Sequence, residues 1–343
     1  MSEDAAPAHA PAGRRRPTIL DIANEAGVSK GLVSMVLSGS AGPSAATAER
    51  VLAIAERLGY RTNRTAALLA RRRTRLLGVT IIPSNVYHGE LIEDIQATAD
   101  AAGYELVLGS IAGTRDERRT IEMLIDFRCE AVLLVGPTMT TQKLAPLIAG
   151  TATVCVGRTL DLPDVDVVRA DDSKGMSDVA DHLVALGHRR IAHVDGGSGV
   201  IADTRRRAYR AAMRRHRLEP LVLRGGLTEQ LGAQALDALP ESSDITAIMA
   251  FNDRTAVGVV DRLERRGVSV PGDMSVTGFD DSILARHSRI DLTTVNQAPA
   301  EQARRSVDAA IERLDGGRTE RREIVLPASL IVRGSTGPPT PRP

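Results

Sequence analysis

Apolar residues recur every three or four positions in three short segments near the start of the chain. The first segment follows Thr18 and ends at Gly27, the second follows Ser29, and the third begins near Ser44. This spacing predicts three short amphipathic helices, and the Thr and Ser residues that precede them are typical helix N-caps. Two helices joined by a tight turn that contains glycine form a helix-turn-helix. The sequence therefore predicts a small all-α head over residues 17–62.

From Leu76 onwards the pattern changes to short, continuous apolar runs that alternate with amphipathic segments. The first runs, at residues 77–82, 105–109 and 131–135, predict strands with helices between them. Regular alternation of apolar strands and helices is typical of parallel sheets covered by helices. At roughly 260 residues this region exceeds a usual single core. We therefore expect an α/β body of two lobes over residues 76–335, with a ligand site between them at the carboxyl ends of the strands.

The segments outside the head and the body lack a regular pattern. Residues 1–16 are rich in Ala and Pro, and residues 336–343 are rich in Pro. Both are predicted to be disordered tails, because they hold too few large apolar side chains to offset the loss of chain entropy. Residues 63–75, which include a run of arginines, join the head to the body.

Charge is distributed unevenly along the chain. Forty-four Lys and Arg residues against 43 Asp and Glu residues leave a net charge of +1. Residues 1–78 nevertheless carry a net charge of +6, and the remaining residues carry −5. A basic head on an acidic body is typical of a nucleic-acid-binding module joined to a domain with a different partner.

The composition also argues against several classes of protein. The two cysteines, Cys129 and Cys155, are far apart, which disfavours a CxxC metal or redox site and a disulfide scaffold. No apolar stretch approaches the ~20 residues of a membrane span, and the N-terminus lacks a secretory signal, so we expect a soluble, cytoplasmic protein with no membrane partner. With no Trp, three Phe and four Tyr, stacking on single-stranded nucleic acid is also disfavoured.

Three patterns that suggest other chemistry lack the residues needed to support it. Residues 197–202 follow a predicted strand and read G-x-G-x-x-A, a weak dinucleotide-binding pattern. His182, His188 and His193 are spaced unlike the ligands of a metal site. No nucleophile accompanies the paired aspartates of the body. We therefore expect no cofactor, no metal site and no catalytic residues.

Several motifs resemble the lactose-repressor (LacI/GalR) family of bacterial transcriptional regulators. Residues 17–29, PTILDIANEAGVS, match the family's opening signature almost residue for residue, and NDRTA at 252–256 and LPASLIVRG at 326–334 look like family landmarks in the body. The resemblance implies that the body has the periplasmic-binding-protein fold. It also implies that the chain crosses between the lobes twice near residue 160 and twice after Leu292.

The same resemblance assigns DNA contacts to the head and to the connector. In a helix-turn-helix the second helix enters the major groove, and its outward-facing residues read base edges. Residues 63–75 are similar to the family's hinge helix and linker, which implies that Leu69 is inserted into the minor groove. A plain linker contact is the alternative for Leu69. The expected DNA-binding residues are Thr18, Ser29, Lys30, Gly31, Ser34, Met35, Asn63 and Leu69.

A second set of residues matches the family's contacts to a small-molecule effector. Arg205, Asn252 and Asp280 match its polar clamp, in which Arg donates, Asn donates and accepts, and Asp accepts hydrogen bonds. The alternative for Arg205 is a structural ion pair with a nearby carboxylate. A sugar or another small polar metabolite is the family's default effector. Further candidates to line the effector site are Phe251, Arg158 and Tyr87.

We therefore expect a ligand-responsive repressor that binds a pseudo-palindromic, double-stranded operator as a homodimer. Effector binding between the lobes would bias the hinge helices between ordered and disordered states. We expect the effector to act as an inducer that relieves repression. The alternative is a corepressor, which would strengthen operator binding. Two other classes are a periplasmic binding protein, against which the head and the lack of a signal peptide argue, and an enzyme, for which no reactive constellation is found.

Overall fold

The structure is a computed structural model, and it divides the chain into two compact units, residues 1–73 and 74–343. It describes residues 17–37, 42–60, 73–240 and 243–340. Four sequence predictions fall outside the described residues: the tail at 1–16, the hinge helix at 63–70, and the DNA contacts of Asn63 and Leu69.

The described part of the N-terminal unit contains three helices, α1 (Ile19–Ala26), α2 (Lys30–Leu37) and α3 (Ala45–Arg57). Helical periodicity places one apolar stripe on each of them, and the three stripes pack together. The buried side chains of this small core are Ile22, Ala23, Ala26, Val33, Val36, Val51 and Ala55.

Side-chain caps set the ends of these helices, as the sequence predicts. Thr18 and Asp21 form a capping box at the start of α1, in which the Thr18 backbone N–H donates to Asp21 Oδ2 at 2.7 Å. Gly27 ends α1 in the left-handed conformation, at φ +63°, which glycine adopts most easily. The Ser29 hydroxyl accepts a hydrogen bond from the Leu32 backbone N–H at 3.2 Å, next to the start of α2. These caps hold α1 and α2 as separate helices around a tight turn.

The first lobe of the body is built on a sheet of six parallel strands. Their order across the sheet is β11-β5-β4-β3-β1-β2, so strands that are distant in the chain are neighbours. Its elements are β1 (Leu76–Ile81), α4 (Val86–Ala101), β2 (Glu105–Ser110), α5 (Glu117–Asp126), β3 (Ala131–Val135), α6 (Thr141–Ile148), β4 (Ala152–Val156), β5 (Val165–Ala170), α11 (Pro299–Asp315) and β11 (Glu323–Leu326).

The second lobe has a sheet of four parallel strands, in the order β7-β6-β8-β9. A short antiparallel pair of strands, β10 and β12, lies beside it. The elements are α7 (Asp172–Ala185), β6 (Ile191–Val194), α8 (Val200–Arg215), β7 (Leu221–Leu223), α9 (Glu229–Ala235), β8 (Ala247–Ala250), α10 (Asp253–Arg265), β9 (Ser275–Thr277), β10 (Thr294–Asn296) and β12 (Ser329–Ile331).

The chain passes between the two lobes after β5, after β10 and after β11. The expectation of two crossings near residue 160 is therefore wrong, because a single crossing occurs there, between Ala170 and Asp172. A chain that enters the body in the first lobe and ends in the second must cross an odd number of times. The two crossings expected after Leu292 are present.

The prediction of disorder for residues 336–343 is wrong for residues 336–340, which are ordered against the second lobe. The Gly337 backbone N–H donates to the Ser275 hydroxyl at 3.1 Å, and Thr336 Oγ1 lies 3.0 Å from His182 Nε2. The proline content prevents a helix here, but it leaves carbonyl and hydroxyl groups free to bond to the lobe. Residues 341–343 lie outside the described residues.

Candidate functional site

A cavity lies between the two lobes of the body, at the carboxyl ends of the parallel strands. The loops after β1, β3 and β4 form one wall, and the loops after β6, β8 and β9 form the other. We call this space the interlobe cavity. Six residues predicted from the sequence to bind the effector line this cavity together: Tyr87, Arg158, Arg205, Phe251, Asn252 and Asp280. Their role in effector binding stays a prediction.

Arg205, on α8, lines the cavity and also forms the structural ion pair that was its alternative role. Its side chain is buried, and Nε donates to Asp172 Oδ1 at 2.7 Å. Nη1 donates to the Phe251 backbone oxygen at 2.7 Å, and the guanidinium carbon lies 3.6 Å from the centre of the Phe279 ring. The two roles coexist, because the pair with Asp172 holds the guanidinium group in place at the cavity wall.

Asp280 lies in the loop after β9, where its backbone adopts φ +123°, a conformation that favours glycine and is strained for other residues. Its Oδ1 accepts a hydrogen bond from Gln297 Nε2 at 2.7 Å and lies 3.9 Å from Arg205 Nη1. Burial raises the pKa of Asp280 well above its usual range, and the nearby Arg205 charge only partly opposes this. The carboxyl group is therefore protonated more easily than an exposed aspartate.

Asn252 is the N-cap of α10, which restricts what it can offer to a ligand. Its Oδ1 accepts a hydrogen bond from the Thr255 backbone N–H at 2.8 Å. The same residue lies at the cavity wall and is buried. Because the oxygen is used by the cap, the amide NH₂ is the group of Asn252 that can donate to a ligand.

His88, Gln297 and Gln302 line the cavity but were not among the site residues predicted from the sequence. Gln302 Nε2, on α11, donates to Tyr87 Oη at 2.9 Å and to the Gln297 backbone oxygen at 2.7 Å. His88 Nδ1 accepts a hydrogen bond from the Ile82 backbone N–H at 3.2 Å, and burial lowers the pKa of His88 to about 4. No local sequence pattern marks His88, Gln297 or Gln302 as cavity residues. They reach the cavity only because the tertiary structure brings their segments to the ends of the strands.

Arg158, in the loop after β4, lies in the wall of the cavity that belongs to the first lobe. Nη2 donates to the Met139 backbone oxygen at 2.8 Å, and Nη1 donates to the Thr159 backbone oxygen at 3.3 Å. Nε is buried and has no hydrogen-bond partner among the described residues. Among the described residues, Arg158 therefore bonds only to neutral carbonyl groups, whereas Arg205 also pairs with a carboxylate.

The patterns that suggested other chemistry also have clear locations. Residues 198–202 line the interlobe cavity. His188 lies within 3.0 Å of the Ser275 hydroxyl, and His193 Nδ1 lies 2.8 Å from the Met249 backbone oxygen. Over the described ranges, no group of three His, Cys, Asp or Glu residues is placed to hold a metal ion.

The exposed face of α2 carries the residues predicted to read DNA. Four of them, Lys30, Gly31, Ser34 and Met35, are exposed, while Val33 and Val36 on the opposite face are buried. The hydroxyl groups of Thr18 and Ser29 are used in the helix caps described above. Contact with DNA stays a prediction for all six of these residues.

Comparison with known proteins agrees with this division into a head and a body. Residues 18–63 match the family described as "Bacterial regulatory proteins, lacI family". Residues 180–336 match "Periplasmic binding protein-like domain". In the part of the chain that the structure describes, no helix is long and apolar enough to cross a membrane.

Relatives and solved structures cover nearly the whole chain. The HTH-type transcriptional regulator DegA of Bacillus subtilis (strain 168) is 30% identical over 334 residues, which are 94% of this chain and 99% of the relative. A structure of the transcriptional regulator CelR in complex with cellobiose is 29% identical, with a TM-score of 0.69, and covers 93% of this chain and 100% of that one. The lac repressor dimer bound to operator and the anti-inducer ONPF is 26% identical, with a TM-score of 0.82. This match covers 94% of the present chain and 100% of the lac repressor chain. The chain belongs to the LacI family of bacterial transcriptional regulators.

Proposed function

We propose that this protein represses transcription as a homodimer on a pseudo-palindromic operator, under the control of a small, sugar-like effector that binds in the interlobe cavity. Family membership identifies it as a DNA-binding regulator and not an enzyme. The observation that carries the proposal is the combination, in one chain, of a helix-turn-helix with an exposed recognition face and a cavity whose walls come from two lobes.

Operator binding is supported by the head. The lac repressor structure, which matches 94% of this chain, is a dimer bound to operator. A symmetric dimer presents two recognition helices to the two half-sites of a pseudo-palindrome. In this chain Lys30 can donate to guanine acceptors or phosphates, and Met35 offers an apolar contact, for example to a thymine methyl group.

Effector control is supported by the cavity. CelR is bound to cellobiose in its structure, and the polar groups of Asn252, Asp280 and Arg205 suit the hydroxyl groups of a sugar. A ligand that contacts both lobes favours their closed arrangement, and it shifts operator affinity by no more than its differential affinity for the two states. We propose an inducer, and a corepressor would act through the same cavity with the opposite sign.

The proposed place of action is the cytoplasm, on the nucleoid. The regulator must meet chromosomal DNA there, and the buried cysteines Cys129 and Cys155 are free thiols, which suits a reducing compartment.

The proposal is tested by capturing genomic DNA with the purified full-length protein and footprinting the recovered fragments. We expect protection of two half-sites related by a pseudo-dyad, and loss of protection when the correct metabolite is added. Binding without sequence preference, or stable protection by a monomer, would contradict the proposal.

Replacement of Leu69 by glycine tests the role proposed for the connector. Leu69→Gly should weaken operator binding by at least about tenfold, because it removes the side chain that wedges the minor groove open, while effector affinity stays near that of the wild type. Operator affinity is measured by gel shift and effector affinity by calorimetry. Loss of both together would point to misfolding instead.

A further inference from the structure

Arg158 is a buried cation that pairs with no carboxylate of the described residues. Its side chain lines the interlobe cavity, and the residue is only 5% exposed. Among the described residues, no Asp or Glu oxygen lies within ion-pair distance of its guanidinium group, and its hydrogen bonds go to the carbonyl groups of Met139 and Thr159. The Nε atom has no partner in the same part of the chain.

Other enclosed arginines of the body are neutralised. Arg205 pairs with Asp172 at 2.7 Å, and Arg313 pairs with Asp166 at 2.9 Å. Burial of a charge is costly unless the charge is paired and hydrogen-bonded. Two neutral carbonyl groups compensate the charge of Arg158 only in part. The buried Glu117 carboxylate lies on the other side of Met139, where it accepts a hydrogen bond from the Met139 backbone N–H at 2.9 Å, and it makes no ion pair with Arg158. The guanidinium group at the cavity wall can therefore still pair with an anion.

The charges of the cavity are arranged asymmetrically across its two walls. Arg158 belongs to the first lobe, where the neighbouring His88 is neutral, because burial lowers its pKa to about 4. The second lobe contributes Asp280, Asn252 and the guanidinium group of Arg205, whose charge is balanced by Asp172. One wall therefore suits an anionic group, and the other suits hydroxyl or amine groups.

We propose that Arg158 is an anion-binding residue of this cavity and that the effector is a small polyhydroxylated compound that carries a carboxylate or a phosphate at one end. The anionic group would bind Arg158 in the first lobe, and the hydroxyl groups would bind the second lobe. This inference rests on the proposed function, because it takes the interlobe cavity as the effector site. A ligand held in this way bridges the two lobes by a charge at one end and by hydrogen bonds at the other.

The test uses the full-length protein and three matched sets of probes, built on glucose, galactose and ribose. Each set contains the neutral sugar, the corresponding sugar acid and the terminal phosphate ester. Binding is measured by the shift of the melting temperature and by calorimetry, at equal ionic strength, because screening weakens charge contacts. The variants are Arg158→Gln, Arg158→Lys and, as a control, Arg118→Gln, which alters an exposed arginine of the same lobe.

We expect at least one anionic probe to bind more tightly than its neutral sugar. Arg158→Gln should weaken that binding by at least about tenfold, because a charge-assisted hydrogen bond is lost, while Arg158→Lys should retain part of it and Arg118→Gln all of it. Binding of an acid or of a phosphate ester identifies which anion the site takes. Preference for neutral sugars, no binding of any anionic probe, or equal binding by Arg158→Gln would each overturn the inference.

The melting temperature of the ligand-free protein separates this role from a structural one. Because Arg158 forms no ion pair with any described residue, Arg158→Gln should melt within a few degrees of the wild type. A loss as large as that of Arg205→Ala would assign Arg158 a structural role and overturn the inference. Operator binding by the same variant is the second control. Failure of the wild type to bind any operator contradicts the proposed function, whereas intact operator binding without anion binding contradicts this inference alone.

Discussion

Arg205 combines a structural and a proposed ligand-binding role in one side chain. Its ion pair with Asp172 is almost fully buried, with 4% and 6% of the two side chains exposed. A buried ion pair adds little to folding stability compared with a pair of apolar residues of similar size. Removal of one partner, however, leaves an uncompensated charge in the interior. A substitution at Arg205 therefore alters the stability of the body as well as the cavity.

Arg205→Ala should lower the free energy of unfolding by about 3–5 kcal/mol, because it leaves the Asp172 carboxylate buried without a partner. The double variant Arg205→Met/Asp172→Leu should recover much of this loss, since it removes both charges. Urea unfolding of the three proteins gives the comparison. A double variant that is less stable than the single one would contradict this account.

The pH dependence of stability should carry a contribution from His193. This residue is buried in β6, its Nδ1 lies 2.8 Å from the Met249 backbone oxygen, and burial lowers its pKa to about 4. The ordinary value in an unfolded chain is about 6.5. Between these two values the unfolded chain binds a proton that the folded one does not, so stability is full above about pH 6.5 and falls by about 3 kcal/mol as the pH drops to 4.

Asp253 acts in the opposite direction, so the histidine effect is measured as a difference. Burial raises the pKa of Asp253 to about 6, and its contribution is present at low pH and lost as the pH rises through that value. His193→Asn keeps a donor for the Met249 oxygen but cannot titrate. The unfolding free energy of the wild type minus that of His193→Asn, measured from pH 4.5 to 7.5, should decrease as the pH falls. A difference that does not change with pH would rule the effect out.

Two helices of the second lobe pack through glycines. A Cβ atom on Gly258 in α10 would overlap the backbone oxygen of Glu229, and one on Gly232 in α9 would overlap the backbone oxygen of Thr255. The backbones of α9 and α10 are thus in direct contact. This contact holds α10 beneath Asn252, which caps the helix at the cavity wall.

Gly258→Ala should lower stability by roughly 1–3 kcal/mol, because α9 and α10 must move apart to admit a methyl group. Gly89→Ala is the matched control, since nothing lies within 4 Å of the added atom and the residue is helical. This second change should be neutral or stabilising by about 0.4–1 kcal/mol. Thermal unfolding distinguishes the two, and equal effects would refute close packing at Gly258.

At the scale of the whole body, direct hydrogen bonds hold the two lobes together beside the cavity. The Ile283 backbone N–H donates to Glu90 Oε1 at 2.7 Å, and Arg254 Nη1 donates to the Ser84 backbone oxygen at 2.6 Å. Ser84 and Glu90 belong to the first lobe, and Arg254 and Ile283 to the second. These bonds favour the closed arrangement before any ligand binds.

Glu90→Ala should shift the ligand-free protein towards an open arrangement of the lobes. Loss of a hydrogen bond worth about 1 kcal/mol changes the ratio of the two states about fivefold. Glu90→Gln keeps an oxygen that can accept from Ile283 and should behave as the wild type. Small-angle scattering should give a larger radius of gyration for Glu90→Ala alone. Identical profiles for all three proteins would show that the Glu90 hydrogen bond does not hold the lobes closed.

Much of the fold was predictable, because many of its elements carry a local signal. The caps at Thr18 and Ser29 were predicted from sequence, and β3 has the predicted bounds. The edge strands β7 and β11 were missed, because each is partly exposed and has an apolar run of only three residues. Helix α11 was missed as well. Its residue Gln302, which lines the cavity, was therefore not among the predicted site residues.

The sequence by itself determined the head, the alternating architecture of the body and the six residues singled out for the cavity. Capping, helical periodicity and apolar strands depend on neighbours a few positions apart, so they can be read along the chain. Only the tertiary structure decided that Tyr87 meets Gln302, 215 positions away, that Arg205 pairs with Asp172, and that Arg158 has no such partner among the described residues. Those contacts depend on the order of strands in the two sheets and on the crossings between lobes, which bring distant loops to one cavity.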